Sequence, residues 1–161
     1  MHIGGIISQN MSEIITLCKK NKIPLVEDCA HAHGSTYKNN FAGNIGLAGA
    51  FSFYPTKIIN SAEGGMITTN NIKVFKKSLI FREHGKIDSL LNYHTELGNN
   101  WRFSELHALL GFEQLKSFKK IIEARNSIAN FYYKKLKKLK DIEIINLPKN
   151  TKSGFYKFII I

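Results

Sequence analysis

A helical pattern that leads directly into a buried strand is the strongest constraint on how this chain folds. Apolar residues recur at helical spacing over 14–18, and the segment ends near Asn21. The apolar run 23–26 follows at once and finishes in Glu27 and Asp28. This order is typical of a parallel α/β sheet. Because ligands bind at the carboxyl ends of the strands in such sheets, Asp28 is the first candidate site residue.

The rest of the chain continues the mixture of strands and helices. Residues 50–54 and 65–69 have the composition of strands, and Lys57 lies alone in the bend between them. Further predicted elements are a glycine-rich connector over 34–49 with a turn at 37–40, helices over 72–81, from Ser104 and over about 119–139, and strand-like pieces over 142–145 and 155–161. The whole pattern predicts an α/β fold.

Length and composition exclude several classes of protein. A chain of 161 residues is of single-domain size. It contains no apolar run near the ~20 residues that cross a bilayer, and its first residues lack a secretion signal. We therefore predict no membrane partner and a cytoplasmic location. Cys18 and Cys29 are too few for a disulfide framework, and their placement does not suggest a zinc site.

The net charge of +11 raises the question of a nucleic-acid partner. Much of the excess lies in the lysines of 134–140, which share a helix with apolar residues at helical spacing. A solvated helix face explains these lysines, and no stacking platform or helix-turn-helix pattern accompanies them. We predict no nucleic-acid partner, whereas the surplus positive charge favours an anionic substrate.

Asp28 and Lys57 together have the chemistry of a pyridoxal phosphate site. A lysine amine forms a Schiff base with the cofactor aldehyde, and a carboxylate beside the ring nitrogen keeps that nitrogen protonated. Ser52, in the strand before Lys57, has a hydroxyl that can bind the cofactor phosphate. Spacing alone is weak support, because strand-end aspartates and loop lysines are common in α/β proteins.

The residues around these positions add a family resemblance. The chain resembles the DegT/DnrJ/EryC1/StrS family of sugar aminotransferases in the order, spacing and content of its motifs. The segments that carry the resemblance are VEDCAHAHG at 26–34, GNIG at 43–46, FSFYPTK at 51–57, EGGM at 63–66, FREHG at 81–85, LGNNWRFSEL at 97–106 and GFEQL at 111–115.

The resemblance implies a fold and a domain organisation. It implies part of the large domain of a fold type I pyridoxal phosphate-dependent transferase, with a mixed, mostly parallel sheet and flanking helices, incomplete at both ends. Residues 1–118 would be the C-terminal part of this cofactor-binding domain. Residues 119–161 would be a long connecting helix and the start of the small C-terminal domain. Family members are much longer, and we expect the phosphate-binding loop to lie outside this chain.

The resemblance also implies a role for five residues. Lys57 would form the Schiff base and act as general base, and Asp28 would pair with the ring nitrogen. His31 would lie near the cofactor ring, Ser52 would bind the phosphate, and Asn100 would reach the phosphate of a neighbouring subunit's cofactor. Simpler interpretations stay open: a packed histidine for His31, a backbone hydrogen bond for Ser52, and a turn cap for Asn100.

No metal site is predicted. The histidines at 31 and 33 have no third ligand at a recognisable spacing, and the second of them fits a structural role better.

The implied reaction is transamination. Glutamate as donor would pass its amino group, through pyridoxal phosphate, to a nucleotide-linked keto sugar for glycan biosynthesis, in a homodimer. Some relatives carry histidine in place of the lysine and catalyse dehydration, so Lys57 favours transamination. The alternative hypothesis is a non-catalytic remnant or interaction module that lacks a complete cofactor site.

Overall fold

Two small sheets and four α-helices make up the fold of the described residues. The computed structural model describes residues 1–88 and 90–161. The helices are α1 (Met11–Lys20), α2 (Ile72–Arg82), α3 (Glu105–Lys116) and α4 (Phe118–Leu136). The strands are β1 (Val26–Asp28), β2 (Thr36–Tyr37), β3 (Asn40–Phe41), β4 (Ala48–Ser52), β5 (Gly65–Thr68) and β6 (Thr151–Lys152). One sheet has the order β1-β4-β5 and the other the order β3-β2-β6.

The larger sheet contains the parallel pair that the sequence predicts. Strand β1 runs parallel to β4 with Asp28 beside Ala50, whereas β5 is antiparallel to β4. Because β1 and β4 are parallel, their carboxyl ends lie at the same edge. The mixed α/β fold is confirmed, although among the described strands the parallel part is limited to this pair.

Helix boundaries follow the sequence signals closely. The prediction of a helix that ends near Asn21 is confirmed, since Asn21 is the C-cap of α1. The Ser104 side chain accepts a hydrogen bond from the backbone N–H of His107 and so caps α3 as predicted. The turn predicted at 37–40 joins β2 to β3, with Lys38 and Asn39 both at positive φ. That geometry fits a two-residue hairpin turn.

Glu27 ties β1 to the glycine-rich connector. Its side chain is buried, with 2% of the residue exposed. One carboxylate oxygen bonds to His2 Nε2 at 3.0 Å and accepts from the Gly43 N–H at 2.9 Å. The other accepts from the N–H groups of Ile45 and Gly46, both at 2.8 Å. A sequence with two adjacent acids therefore uses the first for structure and leaves the second, Asp28, at the strand end.

The chain's C-terminal part packs onto the loop that follows β1. Ser35 Oγ donates to the Gly5 carbonyl at 2.6 Å and accepts from the Gly154 N–H at 3.2 Å. Arg125 of α4 donates to the carbonyls of Phe155 and Tyr156. The strand-like pieces predicted over 142–145 and 155–161 pair with each other around the bridge Ile144–Ile160, where Glu143 and Ile161 exchange two backbone hydrogen bonds of 2.8 Å. The start of the second piece does not join this pairing, because its carbonyls bond to α4.

We expect Gly154→Ala to lower the free energy of unfolding by about 1–3 kcal/mol. A Cβ at this position would lie 2.0 Å from the His33 carbonyl oxygen, so backbone must shift. Urea unfolding of the intact protein measures the effect. Gly111→Ala is the control, since its Cβ would meet Ser61 at an ordinary 3.4 Å. Equal midpoints for both variants would contradict the close packing.

No helix among the described residues is long and apolar enough to cross a membrane. Several large apolar side chains are nevertheless exposed, among them Leu90 at 92%, Leu97 at 90% and Leu106 at 76%.

Candidate active site

Asp28 lies at the carboxyl end of β1, at the sheet edge where the parallel strands finish. One carboxylate oxygen, Oδ1, accepts a hydrogen bond from the Ala30 N–H at 3.0 Å. Among the described residues, Oδ2 accepts no hydrogen bond. The backbone continues the sheet for one more residue, since the Cys29 N–H donates to the Ala50 carbonyl at 2.8 Å. The structure thus fixes the backbone of Asp28 and leaves half of its carboxylate available.

Ser52 and Lys57 follow from β4 at the same edge. Ser52 is the last residue of the strand, and its Oγ accepts from the Tyr54 N–H at 3.3 Å. The Lys57 N–H donates to the Tyr54 carbonyl at 2.9 Å, which forms the predicted bend. Phe53 is held on both sides, by the Gly64 carbonyl and by the Ser61 N–H, each at 2.9 Å. Backbone hydrogen bonds to the residues before β5 therefore hold the turn that carries the lysine.

The Lys57 amine has no hydrogen bond or ion pair among the described residues. Its Nζ instead lies 4.9 Å from the centre of the Tyr156 ring. His31 stacks on the same ring, with centroids 4.3 Å apart and planes at 29°. Burial lowers the pKa of His31, Lys57 lowers it further, and Asp28 raises it. Both charged groups therefore lie near the imidazole, and the three predicted residues share one site.

His33 differs sharply from His31. It is buried, with 3% exposed, and neither ring nitrogen has a hydrogen-bond partner among the described residues. Its ring packs against Phe51 and Phe53, with centroids 5.3 and 5.9 Å away. Burial, reinforced by the charge of Lys57, lowers the pKa of His33 to about 4. The imidazole is therefore neutral near pH 7, and its position among aromatic rings supports the predicted structural role.

An apolar cavity of about 660 Å³ lies next to His33. It does not contain the predicted site, because Asp28, Ser52 and Lys57 are not among its lining residues. Six phenylalanines line it: Phe41, Phe51, Phe53, Phe103, Phe112 and Phe118. A cavity lined by these rings suits apolar packing and does not suit a charged ligand.

Tyr156 is the site residue that sequence reasoning missed. Its hydroxyl lies 3.0 Å from Thr56 Oγ1, next to the lysine, although 100 positions separate the two residues. The hydrogen bond with Thr56 is the main cause of a lowered Tyr156 pKa, and the Lys57 and Lys157 charges add to it. The sequence signalled only an apolar, strand-like segment there, so nothing in local spacing pointed to this contact.

Asn100 is not brought to the other four predicted residues. It forms an isolated bridge with Glu83, and its Oδ1 accepts from Arg102 Nε at 3.0 Å. Within the described parts of the chain, no hydrogen bond joins it to Asp28, Ser52 or Lys57. A role for Asn100 in this site thus depends on a neighbouring subunit, as the resemblance implies.

A cluster of metal-ligand residue types lies beside β1. His2, Glu27 and Cys29 are buried together, with their ligand atoms within 4.8 Å of one another. Both Glu27 oxygens are already engaged by hydrogen-bond partners. Burial, with the charges of Glu27 and Asp28, raises the pKa of the Cys29 thiol to about 12, so no thiolate is ready to bind metal. We assign this cluster to packing.

Comparison with known proteins gives the family and the fold of this chain. A profile of the DegT/DnrJ/EryC1/StrS aminotransferase family covers residues 1–161. UDP-4-amino-4,6-dideoxy-N-acetyl-beta-L-altrosamine transaminase from Campylobacter jejuni (strain 81-176) is 36% identical over 156 residues, which are 96% of this chain and 42% of that protein. The Helicobacter pylori aminotransferase PseC, involved in the biosynthesis of pseudoaminic acid, superposes with a TM-score of 0.91 at 30% identity, over 99% of this chain and 43% of that one.

A second similar structure contains the cofactor, pyridoxal phosphate (PLP). E. coli GDP-4-keto-6-deoxy-D-mannose-3-dehydratase with bound hydrated PLP has a TM-score of 0.86 and 27% identity, over 99% of this chain and 44% of that one.

The fold is that of part of a fold type I pyridoxal phosphate-dependent aminotransferase. The chain belongs to the DegT/DnrJ/EryC1/StrS aminotransferase family. It spans 42% of the length of the Campylobacter relative. The predicted family and fold class are thereby confirmed, whereas the division at residues 118 and 119 and the roles of individual site residues stay predictions.

Proposed function

We propose that the protein containing this chain transfers an amino group from glutamate to a nucleotide-linked keto sugar. Glutamate becomes 2-oxoglutarate and the sugar carbonyl becomes an amine, so the two halves balance without an external oxidant or reductant. The product would serve glycan biosynthesis. The Campylobacter relative is named as a transaminase of a UDP-linked amino sugar, which supports this substrate class. Glutamate rests on the family resemblance.

One observation carries the proposal: an amine without a hydrogen-bond partner shares a sheet edge with a half-engaged carboxylate. Lys57 Nζ is free of hydrogen bonds among the described residues, and Asp28 has one uncommitted oxygen. These donors and acceptors fit pyridoxal phosphate, which has an aldehyde for the amine and a pyridine nitrogen for the carboxylate.

When bound, pyridoxal phosphate would accept the electrons released at the donor's α-carbon. The other steps belong to this chain's own groups. In the first half-reaction Lys57 would move the proton from the donor's α-carbon to the cofactor's aldehyde carbon, and in the second it would move a proton from that carbon to the sugar carbon that gains the amine. Asp28 would hold a proton on the ring nitrogen by its negative charge. His31 would lie near the cofactor ring.

Binding of the phosphate would involve Ser52 and a second subunit. The Ser52 hydroxyl already accepts a backbone hydrogen bond, which leaves its own proton free to donate to a phosphate oxygen. Asn100 would act in the partner's site. Exposed apolar residues near it, such as Leu97 and Leu106, support a homodimer contact in this region. The net charge of +11 suits a diphosphate-bearing substrate.

The test is absorbance of the intact protein mixed with pyridoxal phosphate. We expect a band at the edge of the visible range from the lysine–aldehyde condensation, and its loss in Lys57→Ala. Lys38→Ala is the matched control, because Lys38 also lies over a tyrosine ring, at 5.3 Å, but outside the site. A band that survives in Lys57→Ala, or no band in the unmutated protein, would refute the proposed cofactor chemistry.

A further inference from the structure

The segment that contains Tyr156 combines an unfavourable backbone conformation with several tertiary hydrogen bonds. Phe155 has a φ of 50° and 8% exposure, a left-handed conformation that is unfavourable for a bulky buried residue. Its N–H donates to Ser153 Oγ at 2.9 Å. Arg125 donates to the Phe155 carbonyl at 2.9 and 2.7 Å and to the Tyr156 carbonyl at 3.0 Å. The surrounding contacts thus maintain a strained backbone.

The result of this conformation is the position of the Tyr156 side chain. Its ring lies under the Lys57 amine and against the His31 imidazole. Its hydroxyl pairs with Thr56 Oγ1, on the residue just before the lysine. The ring therefore contacts the amine while the hydroxyl contacts the turn.

We propose that Tyr156 is a positioning residue for Lys57, holding the amine at the sheet edge through its ring face and the turn through its hydroxyl. A lysine has four flexible carbons and a strongly hydrated charge, so without a partner its amine samples many positions. An aromatic face attracts the charged amine and limits that range. The inference rests on the proposed function for its purpose, while the contact itself is independent of the cofactor.

Other charged groups face the same ring and enter the test. Lys157 Nζ lies 5.0 Å from the ring centre, His31 stacks on the ring, and the charge of Arg125 acts on the Tyr156 hydroxyl. Asp28 acts on the stacked His31. None of these groups changes in the variants proposed below. A shift in the reactivity of Lys57 is therefore attributable to residue 156.

The experiment measures how fast the Lys57 amine is acetylated by trace acetic anhydride across a pH series, in the intact protein freed of cofactor. Only the uncharged amine reacts. In Tyr156→Leu we expect the acetylation rate of Lys57 to reach half of its maximum at a lower pH, because the cation–π contact is lost. Below that midpoint, labelling should be about two- to fivefold faster than in the unmutated protein. The maximal rate at high pH should be unchanged. Tyr156→Phe retains the ring and should retain the midpoint. Tyr54→Leu, in an exposed tyrosine of the same loop, is the control.

The outcomes separate positioning from packing. An unchanged midpoint in Tyr156→Leu, with only the maximal rate altered, would mean that the ring merely covers the lysine and would overturn the proposal. If Tyr156→Leu does not unfold cooperatively in urea, Tyr156→Met tests the same point with a flexible apolar side chain. Failure of the cofactor absorbance test leaves this measurement unaffected, so the two proposals fail separately.

Discussion

Arginine in place of Lys57 should lower the rate of 2-oxoglutarate formation from glutamate by about 10²–10⁴-fold in the cofactor-loaded intact protein. A guanidinium stays protonated at any working pH, so it cannot accept the α-carbon proton. It also keeps the positive charge over the Tyr156 ring, so the loss would report proton transfer rather than a collapsed site. A single-turnover assay with glutamate alone measures the effect without knowledge of the sugar.

The matched variant for this measurement is Lys38→Arg. Lys38 Nζ donates to Ser12 Oγ at 3.0 Å and lies over the Tyr37 ring, which reproduces the charge and aromatic contact away from the site. Its rate should stay within twofold of the unmutated protein, roughly the scatter expected of a surface change. A Lys57→Arg protein that keeps a similar rate would show that another group moves the proton.

The positions of Asp28, Ser52 and Lys57 could be predicted because these residues lie in two short segments of the chain. Asp28 ends a strand that follows a helix, and this order implied a parallel sheet and a shared carboxyl edge. Ser52 and Lys57 lie in the same strand and bend, so spacing along the chain carries over to spacing in space. The structure places these residues where the pattern predicted, although their roles await experiment.

The remaining parts depended on contacts that sequence spacing does not encode. Tyr156 reaches Lys57 only because Phe155 adopts a left-handed backbone and Arg125 holds it there. Its segment was predicted as a strand from its apolar composition, since aromatic residues favour strands unless tertiary contacts override the preference. Strand β1 also begins later than predicted, at Val26, because the preceding residues leave α1 through Lys22 at positive φ.

Glu27→Gln should lower the free energy of unfolding by about 3 kcal/mol at pH 7, because two of the four donors around the carboxylate lose an acceptor at about 1–3 kcal/mol each. The glutamine amide would turn an N–H₂ group toward either the pair Ile45 and Gly46 or the pair His2 and Gly43. Urea unfolding measures the loss. Glu13→Gln, in an exposed glutamate of α1, should change stability by less than about 0.5 kcal/mol.

The difference in the free energy of unfolding between the unmutated protein and Glu27→Gln should also depend on pH. Burial alone would raise the pKa of Glu27, but the bonds from His2, Gly46, Gly43 and Ile45 outweigh it, and the folded pKa lies below the ordinary 4.5. The unfolded chain therefore binds the proton more readily, so the carboxylate's contribution is fully present above pH 4.5 and is lost as pH falls through the folded pKa. Urea midpoints of both proteins should converge on acidification below that value. If the difference in urea midpoint stayed constant down to the pH of acid unfolding, the four hydrogen bonds would not favour the charged carboxylate. Glu27 would then stabilise the 43–46 connector through packing, independently of its charge.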